Sequence, residues 1–314
     1  LPTRGPAANP TDLAALVQRG EALGFHSVVV ADHIVLPVSY ASKYPYTVSG
    51  AFPSAGDAME QLTLMSWVAA KTRRLRIISS VMIVPHRNPV VTAKALATLD
   101  VLSEGRLTVG VGVGWLREEF EALAAPDFDR RGAVTDEYLA IFKVLWTRSP
   151  ASFSGRFYRF KELWCLPRPV QEPHPPIWVG GHSPAALRRA ARLGDGWHPV
   201  GANPAAPLLP EDMRDSIAEL HRLAEAAGRD PTRITISYKA PLYDTSITGD
   251  RLRADGDQRR PFSGTQDQIL ADIDAYEALG VSELIVDFRG DRLTDSLERM
   301  QRFADLVQLE PAAA

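Results

Sequence analysis

The sequence predicts an α/β fold, an eightfold β/α barrel, and three observations carry that prediction. Short, nearly continuous apolar runs alternate with helix-length segments along most of the 314 residues, the pattern of a parallel sheet covered on its outside. Two distant stretches, EALGFHSVVVADH at 21–33 and EALGVSELIVDFR at 277–289, share one local design: a helix end, a glycine stop, an apolar strand and an aspartate. The length also fits, because a barrel of this kind takes about 250 residues and leaves about 60 for insertions. We read the whole chain, 1–314, as one barrel domain.

Taken in order, the helices are expected over 11–23, 57–72, 90–103, 132–147, 184–193, 211–227, 266–279 and 292–308. The first and seventh stop at Gly24 and Gly280, and the fifth opens with Ser183 as cap and Pro184 at its first position. The strand runs between them are SVVVAD, LRIISSVMIV, RLTVGVGV, PPIWVGG, GWHPV, RITISY and ELIVDF, seven in all. The chain opens on LPTRGPAANP, like the tail of a strand running into a loop. We therefore expect the barrel's first strand to be short or cut in this sequence, and its second to begin near Ser27. Insertions are expected near 34–56, which holds Tyr40, Tyr44, Tyr46 and Phe52, near the proline-rich and aromatic 148–175, and near the polar 243–264.

Composition excludes several classes of function. The 35 basic and 38 acidic residues give a net charge of −3 and form no basic cluster, so no nucleic-acid partner is expected. A single cysteine, Cys165, rules out an internal disulfide, and its apolar neighbours make it a packing residue. None of the seven histidines pairs with another at a metal-binding helical spacing, so no metal is expected. No apolar run approaches the ~18 residues of a membrane span, which reads as a soluble, cytoplasmic protein.

The stretch TVGVGVGWLREEF at 108–120 imitates a dinucleotide fingerprint and fails as one. A phosphate-binding turn needs a small residue at the sixth position; counting from Gly110 that position is Trp115, and from Gly112 it is Arg117. What remains is a strand with valines on one face and Gly110, Gly112 and Gly114 on the other. Glycines there mean that something approaches the backbone closely, either packing inside the barrel or a ligand.

Active sites of such barrels lie at the carboxyl ends of the strands. Those ends hold Asp32 and His33, Ser80 and Val81, Val113 to Trp115, Gly180 to Ser183, Trp197 and His198, and Asp287. Asp32 and His33 form either an acid/base pair, with the carboxylate orienting an imidazole that titrates near neutrality, or a strand-end cap beside a hydrogen-bonded histidine. The segment GGHSPAALRRAARLG is either an anion site at a helix N-terminus or a well-capped helix.

Four blocks in this order, ADH at 31–33, IISSVMIVPHRNP, KALATLDVLSEGRLTVGVGVGWLREEF and PPIWVGGHSPAALRRAARLGDGW, resemble the luciferase-like monooxygenase superfamily over nearly the whole chain. Within it, the GVGVGWL-EEF and DGWHP segments are most similar to bacterial oxidoreductases that use the deazaflavin coenzyme F420. The resemblance implies a β/α barrel that transfers hydride between F420 and a small organic substrate. It implies that His33 stands beside the reacting ring, with Asp32 as the preceding acidic residue, and that Ser80 and Val81 form a bulge, commonly joined by a cis peptide, that backs the ring. Val113, Gly114 and Trp115 would line the cofactor, so that the glycines clear space for a flat ring; Gly180, Gly181 and Ser183 would hold its phosphate. Trp115 stands where sugar-phosphate dehydrogenases of the superfamily carry an acidic catalytic partner, which argues against a sugar-phosphate substrate. Two alternatives share the motifs: an FMN-dependent monooxygenase, and a flavin-binding protein without turnover. A homodimer is the assembly allowed for.

Overall fold

The computed structural model describes residues 1–52, 58–240, 258–290 and 292–311. Its elements follow the predicted alternation: α1 (Pro10–Ala22), β1 (Ser27–Val30), α2 (Gln61–Lys71), β2 (Arg76–Ser79), β3 (Met82–Ile83), α3 (Pro89–Leu102), β4 (Leu107–Gly112), α4 (Arg117–Ala122), α5 (Arg131–Thr147), β5 (Ala151–Ser154), β6 (Arg159–Leu163), β7 (Ile177–Gly180), α6 (Pro184–Leu193), β8 (Gly196–His198), α7 (Pro210–Ala226), β9 (Thr235–Ala240), α8 (Gln266–Glu277), β10 (Glu283–Val286) and α9 (Leu293–Leu306). The strands pair in parallel in the order β1-β2-β4-β7-β8-β9-β10, with β3 also on β4. The sheet curls into a nearly closed barrel wrapped by the helices.

The barrel stays open at one seam. No strand precedes β1 among the described residues, and β1 and β10 are not paired with each other. An apolar cavity of about 310 Å³ lies between them, lined by Val28, Leu284, Phe25 and Phe303 among others. The chain's first residues run along this seam: the Leu1 amino group donates to the Val29 carbonyl at 3.1 Å, and the Met59 amide to that of Thr3 at 2.8 Å. All seven predicted runs lie in this sheet, with LRIISSVMIV contributing both β2 and β3.

The strands of the barrel sheet turn alternate side chains toward the helices and toward the lumen. The outward face joins the helices in one large core that includes Val30, Ile77, Val109, Val111, Ile177, Val179 and Trp197. Burying each such aliphatic or aromatic side chain contributes about 1.5–3 kcal/mol, so this layer dominates the fold's stability. The inward face fills the lumen with Val29, Ile78, Trp178 and Ile285.

Two elements depart from the expectation. The run LRIISSVMIV is broken into β2 and β3 at a cis peptide between Ser80 and Val81, where the Ser80 amide donates to Val30 O and Ser79 Oγ to Gly110 O, both at 2.8 Å. The short helix α4 is additional. Within the expected insertion at 148–175, β5 and β6 form an antiparallel hairpin outside the barrel sheet. Residues 34–52 form no helix or strand, and most of the insertion expected at 243–264 lies outside the described residues.

Candidate active site

The top of the lumen is built by alternation. Residues two apart along a strand share a face, so Ala31, Ser80 and Asp287 follow Val29, Ile78 and Ile285 on the lumen side, Lys239 and His198 reach Ser80 from β9 and β8, and His33 stands one step beyond Ala31. Here polar groups replace apolar ones. Lys239 Nζ donates to Ser80 Oγ at 2.9 Å, Ser80 Oγ lies 2.9 Å from His198 Nε2, and His198 Nδ1 lies 2.6 Å from Ser237 Oγ. Ser237 Oγ donates to the Trp197 carbonyl at 3.3 Å, which orients the chain: its oxygen accepts from His198 Nδ1–H, and His198 Nε2 accepts from the Ser80 hydroxyl. Burial, with the Lys239 charge adding to it, pushes the His198 imidazole down to about 3, so it is neutral and able to accept.

His33 meets a carboxylate, but not the one beside it in sequence. Its Nδ1 lies 2.8 Å from Glu119 Oε2, while Glu119 Oε1 accepts the backbone N–H groups of Ile34 at 2.8 Å and Val35 at 3.2 Å. Burial alone would push the Glu119 carboxyl up; the hydrogen bonds from His33 and Ile34, and the charges of His33 and His86, outweigh it and hold it below its ordinary value. A carboxylate only accepts, so Nδ1 of His33 carries the proton, and Nε2 has no protein partner among the described residues. Behind the carboxylate sits His86, its Nδ1 3.9 Å from Glu119 Oε1, with both ring nitrogens buried and without a hydrogen-bond partner among the described residues. Burial pushes it down to about 4.

Asp32 therefore plays a different part from the acid/base pairing expected of it. Its side chain is fully buried, accepts the Ile83 amide at 2.8 Å, and forms a two-point ion pair with Arg87 at 2.7 and 2.8 Å, while Arg87 also reaches Glu60 at 2.8 Å. One residue of offset turns it away from the lumen that His33 enters. Both oxygens are committed to positioning the segment after β3 against the end of β1.

The glycines of β4 also resolve. A Cβ at Gly112 would come within 2.6 Å of Val81 Cγ2, one at Gly180 within 2.8 Å of Val81 Cγ1, and one at Gly114 within 2.6 Å of the Phe120 ring and 2.9 Å of Ile83. The space cleared is filled by the chain itself, mainly by the Val81 side chain of the bulge. The packing reading accounts for these glycines, and the reading that they make room for a flat ring is corrected accordingly.

Over the mouth lies an aromatic wall. The half-buried Trp115 has ring centroids 5.2 Å from Tyr44, 5.6 Å from Phe52, 5.9 Å from Tyr40 and 6.1 Å from His33, and Phe52 is 4.7 Å from His33. The loop carrying these tyrosines is fastened to α4: Glu118 accepts from Ala41 N at 2.6 Å and from Ser42 Oγ at 2.7 Å. On the far side, Ser183 caps α6 through the Ala186 amide at 3.3 Å, Gly181 adopts a φ of 86°, and Trp197 Nε1 donates to its carbonyl at 2.8 Å. Ser183, Pro184 and Ala185 at the start of α6 are exposed, while Ala186 and Leu187 are buried.

The sequence reading thus located His33, Trp115, the bulge and the α6 cap, and missed Glu119, His86, Arg87 and Lys239. A signal for Glu119 was present: in LREEF it falls three residues after Leu116 and next to Phe120, on the apolar side of a short helix. Among the described residues no helix is long and apolar enough to cross a membrane, and no cluster of side chains is arranged to hold a metal ion.

The family model of the luciferase-like monooxygenases matches residues 2–246. An uncharacterized protein of Mycobacterium tuberculosis is 34% identical over 257 residues, 81% of this chain and 83% of its own. An F420-dependent glucose-6-phosphate dehydrogenase of Intrasporangium calvum is 28% identical over 90% of both chains, and an FMNH2-dependent dimethylsulfone monooxygenase of Pseudomonas putida is 32% identical over 61% of this chain and 52% of its own. Among solved structures, the monooxygenase RslO1 from Streptomyces bottropensis superposes with a TM-score of 0.77 at 26% identity, covering 98% of this chain and 96% of that one. The matched span, the barrel and the order of its motifs agree: this chain belongs to the luciferase-like monooxygenase family, whose relatives found here include F420-dependent and FMNH2-dependent oxidoreductases.

Proposed function

We propose that the protein is an F420-dependent oxidoreductase that moves hydride to or from a small cyclic organic substrate, with His33 as the acid/base group. The observation that carries this reading is the His33–Glu119 pair at the barrel mouth: a carboxylate fixes the imidazole's tautomer and orientation and leaves Nε2 for a ligand. When bound, the deazaflavin supplies a ring carbon that accepts or releases hydride, and it lacks the ring nitrogen through which reduced flavins react readily with oxygen.

The residues present fit such a group. The exposed start of α6 offers the Ala185 N–H, left over once Ser183 has taken Ala186, at the positive end of a helix of ten residues. Gly180, Gly181 and Ser183 would hold a phosphate there, Ser80 and Val81 would back a ring on the lumen side, and Val113, the Gly114 backbone and Trp115 would border it. His33 Nε2 then gives a proton to, or takes one from, the substrate oxygen as hydride moves at the adjacent carbon. Glu119 balances the imidazolium charge. Tyr40, Tyr44, Phe52 and Trp115 close an apolar wall that excludes water from that oxygen. With Trp115 where an acidic partner would serve a sugar phosphate, we place the substrate among apolar rings.

Likeness over 90% of both chains to an F420 enzyme, against 61% and 52% for the FMNH2 enzyme, favours the deazaflavin. Titrating the protein with oxidised F420 and with FMN under identical conditions, followed by a substrate panel, tests the reading. Tighter binding of F420 and oxygen-independent turnover are expected. Tighter binding of FMN with oxygen-dependent product would replace this reading with the monooxygenase.

A further inference from the structure

Lys239 is the polar group of the lumen for which the hydride-transfer reading has no use. It sits near the carboxyl end of β9, half-buried, on the floor of the mouth. Its ammonium has three N–H donors. The protein gives it Ser80 Oγ at 2.9 Å and the Ser80 carbonyl at 3.5 Å, both uncharged, and no carboxylate lies within ion-pair distance among the described residues.

The surroundings make this a cation in surplus. The acid nearest in the lumen layer, Asp287, is bound by Arg289 at 2.6–2.7 Å. Of the other groups whose fields reach Lys239, Arg289 and Arg4 are cations, while His198, which shares Ser80 with it, is neutral. An ammonium drawn partly out of water with no counter-charge among the described residues is unfavourable, and a ligand that brings one relieves it. The cationic sector also adjoins the aromatic wall. Arg4 lies over the Phe52 ring at 4.4 Å, Tyr44 stands in the fields of Arg4 and Arg289, and Tyr44 packs on Trp115.

We propose that Lys239 is the anion-recognition residue of the pocket and that the substrate is a ring-bearing carboxylate, its ring against Trp115, Tyr44 and Phe52 and its carboxylate on the Lys239 ammonium. This rests on the reading of the mouth as the substrate pocket, and adds to it the substrate's charge. A residue that merely pins the Ser80 bulge would show no preference for an anion, which separates the two roles.

The test uses the cofactor-free protein and isothermal titration calorimetry, with benzoate and benzyl alcohol as probes. Benzoate is expected to bind about 10–100-fold more tightly, the effect of one charge-assisted hydrogen bond. K239M should remove that preference while leaving benzyl alcohol binding in place, and K239R should keep most of it; thermal unfolding of each variant shows whether it is folded. Burial holds the Lys239 ammonium down to about 8, so benzoate binding should weaken as pH rises through that value in the wild type and remain flat in K239R. Equal affinity for the two probes, absence of benzoate binding, or a preference that survives in K239M would overturn the proposal. Because these titrations need no coenzyme, their outcome is distinct from that of the F420 and FMN titrations.

Discussion

The two helix-to-strand units at opposite ends of the chain share a plan and part at their last residue. In both, a helix gives way to a glycine in the left-handed region, Gly24 at φ 87° and Gly280 at φ 93°, then to a four-residue strand, β1 or β10. Both strands put their third residue, Val29 or Ile285, into the lumen. The aspartate follows Gly24 by eight residues and Gly280 by seven. Strand side chains alternate faces, so Asp32 leaves the lumen for Arg87 and Asp287 enters it beside Lys239. An aspartate ending shifted by one residue thus yields a sealed ion pair in one unit and a floor group in the other, and in the first the shift hands the lumen position to His33.

The largest effect should come from His33 itself. If the offset exists to present this imidazole, His33→Ala should lower turnover by a factor on the order of 10² to 10⁴, with coenzyme affinity nearly unchanged. An unaltered turnover number with the substrate found in the panel would reduce His33 to a packing residue.

Next is the ion pair that the offset creates. Arg87→Met leaves a fully buried carboxylate without its guanidinium, and breaking a buried pair by removing one partner costs about 3–5 kcal/mol. The urea midpoint should fall accordingly. A loss below about 1 kcal/mol would show that Asp32 is reached by water and that the contrast with Asp287 is weaker than the geometry implies.

How far the sequence disclosed these things follows from their range. The helices at 184–193 and 131–147 and the strands at 27–30 and 283–286 are set by local caps, glycine stops and apolar runs, and were legible to within a residue or two. His33 was visible because the carboxyl end of a barrel strand is where side chains meet ligands. Its partner was not, since Glu119 comes from 86 positions away and Asp32 offers a nearer carboxylate. The role of the β4 glycines was hidden for the same reason: whether the missing Cβ makes room for a ligand or for Val81 depends on a bulge that lies on another strand.

Glu119→Gln probes the oriented histidine more gently. The carboxylate receives hydrogen bonds from His33 and two backbone amides, and hydrogen bonds to a charged group contribute about 1.5–3 kcal/mol. Its folded-state value is depressed below the ordinary 4.5, so its contribution is complete above that value and is lost as pH falls through the folded one. The gap between wild type and variant in urea unfolding should therefore be widest near neutrality and close in acid. A gap that widens on acidification would contradict the assignment of Glu119 as the ionised partner.

The smallest effect is expected at Asp287, and it sharpens the comparison most. Its carboxylate is 23% exposed and its partner Arg289 52% exposed, so solvent screens the pair, and exposed pairs contribute about 0.2–1 kcal/mol. Burial would push the Asp287 carboxyl up, but the charge and hydrogen bonds of Arg289 outweigh it and hold it low; its small contribution is present above the ordinary carboxyl range and fades in acid. Asp287→Asn should thus shift the urea midpoint far less than Arg87→Met. It should also remove the one charge that raises the Lys239 value, moving any Lys239-dependent anion binding to lose strength at lower pH than in the wild type. A stability loss as large as that of Arg87→Met would mean that both aspartates are structural locks, and that the one-residue offset between the units does not divide them into support and floor.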